Sequence, residues 1–528
     1  MVQGLNIGKN ALIVNQAALT VVGNNIANMN TVGYSKQRVN LAALNCATGS
    51  KTPMQEAYSG YGVEIESITR YRDAFLDSYY RDSVGAKSYY ETLSTNGLML
   101  EGIANEFTGS GLSNYINDFF EAANSLSLHP TDVTMKTNFV QKAVNLADEF
   151  RNISGQLTAA RTNLVGDPSN IASYETCEAK ATTDEINQLL NDICKVNETI
   201  IYQHNSKLGS AAGLLDQRDG LLDKLSEFIP VTVENNPNGS VNIYLDNIQL
   251  VGGSIQKGSF KLNQGNANNP ARISFESDEG KVYSKDVKNL LGQSGKLSAI
   301  LTLGGDSTTS VTIKSMLDDL NKLASNFAAT INDIQIRDTV GPPTMSAAYY
   351  DSNDKQLHLS STIIFTSDSS RSTYGLTAAN IRVNDAILKN NQLVATAYVP
   401  ATYHTDPDDP YHNWFTIDDP LEVGNNKTAL AFVNAREQSI AGLKGLTFED
   451  FNTSMVSNFG SRLANANTNY ETQQKVLESA NSKRESTIGV NVEEELMDLV
   501  KYQRAYEASA RVFSTSDEVL QTLVNLAR

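Results

Sequence analysis

The sequence predicts a multi-domain, mainly α protein, with coiled-coil helices at both termini, an elongated helical-bundle domain, and β-rich inserted domains. Three observations predict it. Apolar residues recur every seven positions at both ends, long interior segments keep a three-then-four apolar spacing, and two stretches lose that spacing for short alternating runs.

At the N-terminus, Leu5, Leu12, Leu19 and Ile26 lie seven apart, with Ala11, Ala18 and Val22 beside them. This is a heptad stripe. Ile7, Val14 and Val21 draw a second seven-residue line on a different face. One partner helix cannot cover both, so the ends are expected to fold fully only when packed among copies or related subunits. The C-terminus repeats the device through Val492, Leu499, Tyr506, Phe513 and Leu520, bordered by Ala505, Val512, Val519 and Leu526. The expected assembly interface is therefore Leu5, Leu12, Leu19, Val22 and Ile26 with Leu499, Tyr506, Phe513, Leu520 and Leu523.

Between the ends, Phe139, Ala143, Leu146, Phe150, Ile153, Leu157, Ala160 and Leu164 trace one helical face. Further helices are predicted through Ile186 to Ile200, Leu214 to Phe228, Ile313 to Ile334 and Val456 to Leu477. From Pro230 to about residue 295 the period drops to two, and Asn236-Pro237-Asn238-Gly239 separates two alternating runs as a hairpin turn would. A second helix-poor stretch, 338–426, carries Gly341-Pro342-Pro343 and Asp406-Pro407-Asp408-Asp409-Pro410. The predicted organisation is nested: residues 1–45 with 490–528 as the terminal coiled-coil unit; 46–229 with 296–337 and 427–489 as the helical layer; 230–295 and 338–426 as the insertions.

Composition removes several classes of function. The net charge of −17 argues against nucleic acid as a main partner, because phosphate binding needs clustered cations. No apolar run of about 18 residues or more predicts a membrane span. Cys46, Cys177 and Cys194 form no metal-ligand spacing and are expected to be small buried hydrophobes. No phosphate loop, dinucleotide fingerprint, nucleophile elbow or zinc motif occurs, so no catalytic residue, metal or cofactor is expected. His404 and His412 lie near Asp406, Asp408 and Asp409, where a solvated turn is expected. Asp351-Ser352-Asn353-Asp354 lacks the glycine and terminal glutamate of a calcium loop and also reads as a turn. Trp414, Tyr411 and Phe415 are expected to pack the second insertion.

The first helix runs out through Gly23-Asn24-Asn25-Ile26-Ala27-Asn28-Met29-Asn30-Thr31-Val32-Gly33-Tyr34-Ser35-Lys36-Gln37. Asn and Thr side chains compete for backbone hydrogen bonds here, and Gly33 permits positive φ, which makes a helix exit. As a string, Asn24, Asn25, Ile26, Ala27 and Asn28 followed by Thr31, Gly33 and Tyr34 resemble the signature of the flagellar rod, hook and hook-associated axial proteins. Ser35-Lys36-Gln37 resembles the continuation in the hook-associated branch. The closing segment Gly489 to Leu496, with Leu499, Tyr502, Gln503, Ala505, Tyr506, Ala508 and Ala510, is similar to that branch independently. Gly295-Lys296-Leu297 resembles the entry to a long helix in family members.

The resemblance implies a structural junction protein rather than an enzyme, seated on the distal end of the hook and joined to the filament through the next junction protein. It implies copies of itself, hook protein, hook-associated protein 3 and a type III export chaperone as partners. It also implies an extracellular flagellar location reached without a cleaved signal peptide, where composition alone would have placed the chain in the cytoplasm. Two alternatives stay open at this point: hook protein or another axial subunit, and a surface-displayed enzyme or adhesin in the insertions.

Overall fold

The computed structural model describes residues 2–31, 33–44, 62–104, 111–206, 211–266, 270–277, 280, 282–283, 287–305, 312–339, 345–367, 375–405, 413–417 and 424–526. Helix α1 (Val2–Ala27) leads into β1 (Gln37–Ala43), which pairs antiparallel with β2 (Val63–Arg70). Helices α2 (Ala74–Ala104), α3 (Leu112–Leu128), α4 (Val133–Val165), α5 (Glu178–Ser206) and α6 (Ala212–Phe228) follow.

Two small antiparallel sheets come next. One is β3 (Thr232–Asn235), β4 (Val241–Leu245), β5 (Ile248–Gly252) and β6 (Ile255–Gln256); the other is β7 (Gly258–Gln264), β8 (Ala271–Ser277) and β9 (Val282–Tyr283). After α7 (Val287–Leu291), α8 (Lys296–Gly304) and α9 (Ile313–Gln335), a second sheet region holds β10 (Asp338–Thr339), β11 (Met345–Asp351), β12 (Gln356–Leu359), β13 (Phe365–Thr366), β14 (Arg382–Val383), the short α10 (Asp385–Lys389), β15 (Ala397–Thr405) and β16 (Asn413–Ile417). The chain closes with α11 (Lys427–Asn434), α12 (Phe448–Ile488) and α13 (Val492–Leu526).

The predicted periodic faces become the core. All eight residues of the predicted α4 face, Phe139 to Leu164, are buried. At its centre Phe327 of α9 meets Phe119 of α3 edge-on at 5.1 Å and Phe448 of α12 at 5.0 Å, an arrangement that places ring edges against ring faces. The first sheets belong to this same core through Ile243, Leu245, Leu250, Phe260 and Phe275. Asn187 of α5 fixes them laterally, donating to the Phe260 carbonyl and accepting from its N–H, both at 2.8 Å. The hairpin turn forms at Asn236 to Gly239, with Gly239 at φ +83°.

Two features differ from the sequence reading. Gly295-Lys296-Leu297 opens not one long helix but α8, which ends at Gly304, while α9 starts afresh at Ile313. Gly295 sits at φ +81°, and a Cβ there would lie 2.2 Å from the Phe228 carbonyl oxygen, so the backbone of α6's end occupies the side-chain position. Helices α2 and α3 and the β1–β2 hairpin also carry structure that the periodicity did not single out. Cys46, Gly341-Pro342-Pro343, the 406–410 run, Tyr411 and His412 lie outside the described residues, as do the side chains of His404, Trp414 and Phe415.

The second sheet region has its own small core of Ala348, Leu357, Ala397 and Val399, and polar side chains dock it to the helices. Asn332 of α9 bonds both ways with Phe365, and Gln335 donates to the Leu393 carbonyl at 2.8 Å. Lys136 of α4 is 1% exposed and donates to the carbonyls of Tyr350 (3.2 Å) and Gln392 (2.8 Å). Burial pushes its ammonium down from 10.5 to about 7, with Asp351 only partly opposing. The folded chain therefore releases this proton at lower pH than the unfolded chain, so stability rises with pH between those values, by at most about 1.4 kcal/mol per pH unit. Lys136→Met should lack that rise. Urea unfolding from pH 7 to 10 checks it; parallel profiles for the two proteins would refute it.

Candidate assembly interface

Helices α1 and α13 pack antiparallel along one another. Asn15 donates to Ser509 at 3.3 Å and Asn25 to Glu495 at 2.9 Å, while Gly4 faces Ser516. Close approach is built in: a Cβ on Gly8 would lie 3.1 Å from the Phe513 backbone. Among the residues on α1, Val14, Ala18, Val21 and Val22 are buried, whereas Leu5, Leu12, Leu19 and Ile26 are only half-covered and Ile13 is 52% exposed. The seam centres on the 14/21 line that the heptad count assigned to the second face, because that is the side to which Ala18 and the glycines admit α13.

On α13 the coverage is thinner still. Leu499, Phe513 and Leu520 are half-buried, and Tyr506 and Leu523 are exposed. Among the described residues of this 35-residue helix only one side chain is buried, and it is charged: Glu495, at 2%. Leu496, Met497, Val500, Val512, Val519 and Val524 all stand at least 47% exposed. A folded soluble helix normally buries an apolar stripe, so this pair is a half-built core.

The exit from α1 is a joint rather than a simple helix end. Asn25, 1% exposed, uses its whole hydrogen-bonding capacity: its amide donates to the Gln37 carbonyl and to Glu495, and its oxygen accepts from the Tyr34 hydroxyl (2.8 Å) and the Gln37 N–H (3.0 Å). Burial first, then Asp216 and Glu495, push the Tyr34 hydroxyl up to about 12, keeping it a donor. Asn28 donates back to the Asn24 carbonyl, Thr31 donates to Asn28, and Gly33 takes φ +81°. Asn24, Ala27 and Thr31 face solvent. Lys36 bridges Glu494 (2.8 Å) and Glu495 (3.2 Å); burial works against its charge, but the two carboxylates outweigh it and hold the ammonium up.

Beyond the joint, Ser35 is fully buried and its hydroxyl donates to Asp216 of α6 at 2.7 Å. Arg70 at the end of β2 also reaches Asp216 and, at 2.9 Å, Asp219. Asp219 additionally pairs with Arg72 at 2.7 Å and faces Arg218 at 3.5 Å and Arg81 at 3.9 Å. Arg484 of α12 joins Asp77 (2.9 Å) to Asp223 (2.8 Å). This buried ionic cluster ties the hairpin to α2, α6 and α12. Sequence reasoning missed it, since its charges come from three distant segments, 70–81, 216–223 and Arg484.

The remaining chemical candidates are modest. Cys177 and Cys194 are buried free thiols, as expected, and burial pushes Cys194 up to about 11. Asp351 to Asp354 form the turn between β11 and β12, with exposed Asp354 2.8 Å from half-buried His358. No described helix is long and apolar enough to cross a membrane.

The comparisons agree with this geometry. A family model described as the flagellar hook-associated protein FlgK helical domain matches residues 98–339. Models of the flagellar basal body rod FlgEFG protein C-terminal region and of the flagella basal body rod protein match 486–526 and 5–34, the two halves of the helix pair. Flagellar hook-associated protein 1 of Bacillus subtilis (strain 168) is 26% identical, covering 99% of this chain and 97% of the relative. That of Escherichia coli (strain K12) is 24% identical, covering 99% of both. The solved structure of the flagellar hook junction protein FlgK from Burkholderia pseudomallei aligns with a TM-score of 0.56 at 13% identity, over 78% of this chain and 100% of that one, which bears on the fold. The chain is thus an axial protein of the bacterial flagellum, a class of exported structural subunits. Within that class its similarity, along essentially its whole length, is to the flagellar hook-associated protein 1 family.

Proposed function

We propose that this protein is the junction subunit that assembles on the distal end of the hook and connects it to the filament through hook-associated protein 3. The observation that carries this reading is the uncovered apolar surface of the α1–α13 pair, above all a 35-residue helix whose single buried side chain among the described residues is Glu495. Copies of the same pair, and the matching helices of hook protein below and hook-associated protein 3 above, are the surfaces that would complete such a core. The working interface is then Leu5, Leu12, Leu19 and Ile26 on α1 with Leu499, Tyr506, Phe513, Leu520 and Leu523 on α13, while Val22 and the motif from Asn24 to Gln37 hold the pair in place.

The proposed division keeps 1–45 with 490–528 as the assembly unit, the helical layer as a spacer, and 230–295 and 338–426 as insertions; β2 accompanies the assembly unit by pairing with β1. In the cytoplasm the exposed face of α13 would be covered by an export chaperone. Removing residues 492–528 should abolish both chaperone capture and assembly, and deleting the gene should leave hooks without filaments while flagellin appears in the medium. Filaments of normal length on the deletion strain would sink the reading, as would long tubes formed by the purified protein alone, which is hook-protein behaviour.

A further inference from the structure

We propose that the arginine-lined cleft where β2, α2, α6 and β3 meet binds a small tetrahedral oxyanion, phosphate or sulfate. The cleft encloses about 240 Å³. Liquid water occupies about 30 Å³ per molecule, so a tetrahedral anion fits there together with several waters.

Charge is the first argument. Arg70, Arg72, Arg81 and Arg218 line the cleft against only Asp77 and Asp219, an excess of two positive charges. Extending the count to the whole ionic cluster adds Arg484, Asp216 and Asp223, and five arginines against four aspartates still leave one positive charge. All four lining guanidinium side chains are at most 11% exposed, so bulk water screens the excess poorly.

Hydrogen bonding is the second. Among the described residues, Nη1 of Arg72 and Nε of Arg218 are buried with neither a hydrogen bond nor an ion pair. Asp219 is already shared among the four arginines, and neither of these two nitrogens reaches an acceptor of the protein. Buried donors of this kind ordinarily have a partner, and the planar guanidinium fork matches an oxyanion better than any other ligand. Bound there, the anion would brace the joint between the terminal helices and the helical layer. This inference is independent of the assembly reading.

Ser78 lines the same cleft from α2 and is exposed, so it can be changed without touching the core. Calorimetric titration of the full chain with sodium phosphate and, separately, sodium sulfate, at ionic strength fixed with chloride, should give saturable binding near one equivalent for at least one of them. Ser78→Asp, which supplies a built-in carboxylate, should weaken that binding about tenfold or more. Ser78→Lys should retain or tighten it, which keeps the test decisive if the first variant folds poorly. The inference is overturned if neither anion binds saturably, or if Ser78→Asp binds as the parent does. A phosphate-induced rise in unfolding midpoint that is linear and equal in all three proteins also overturns it, because that is the general effect of an excluded anion.

Discussion

Replacing Asn25 by Ala should detach the terminal helix pair from the rest of the protein while leaving the helical layer folded. The substitution strands the Tyr34 hydroxyl, the N–H and carbonyl of Gln37, and one donor to Glu495, all gathered around a side chain that is 1% exposed. Each buried group left unpaired costs about 1–3 kcal/mol, and allowing for partial relaxation the joint should lose about 3–5 kcal/mol. Amide exchange should accelerate across Asn491 to Tyr502 and the last turns of α1, with α4 and α9 unchanged. Asn25→Asp should be no better, because it sets a carboxylate against that of Glu495 at 2.9 Å. Unaltered exchange in Asn25→Ala would show that Lys36 and the Gly8 seam suffice.

The second large effect concerns Asp219, the shared acceptor of the arginine cluster. Burial opposes its charge, yet Arg72, Arg70, Arg218 and Arg81 together hold its carboxyl down to about 2 against an ordinary 3.8. A depressed carboxyl stabilises the fold above its unfolded value and loses that contribution as pH falls through the folded one. The window is therefore pH 4 to 2, and the linked stabilisation is about 2 kcal/mol. Asp219→Asn keeps the shape and removes the charge, leaving four buried guanidinium groups with too few acceptors, at a cost of about 3–5 kcal/mol. Urea unfolding near pH 7 should show that loss, and the variant should have a shallower acid limb than the parent between pH 4 and 2. A change below about 0.5 kcal/mol would mean that Asp77, Asp216 and Asp223 take over the pairing.

These two residues also mark how far the sequence could be read. The helices α4, α5, α6, α9 and α12 were legible because each carries several turns of apolar residues at three-and-four spacing, even where a buried polar or charged residue such as Arg218 or Arg484 sits among them. Helix α2 was not, for a physical reason: its buried side begins with Asp77, Arg81 and Ser83 before reaching Val84, Tyr89, Leu93 and Leu100, so charge occupies positions that an apolar period needs. The β1–β2 hairpin did leave a signal, since Val63-Glu64-Ile65-Glu66 alternates, and it went unread beside the stronger helix-exit motif. That motif was recognisable as a string, but nothing local says that Asn25 bonds to Glu495, which is 470 positions away.

By itself the sequence determined the coiled-coil character of both ends, the β character of the two interruptions, and the family, because periodicity and short motifs are local and survive at 26% identity. Only the tertiary structure decided which of the two heptad lines on α1 faces α13, since two apolar stripes on one helix are equivalent until close approach at Gly8 selects between them. It alone also brought Arg70 and Arg218 to Asp219 and Arg484 to Asp77 and Asp223 within one cluster, because pairing between buried charges depends on distance in space, to which separation along the chain is no guide.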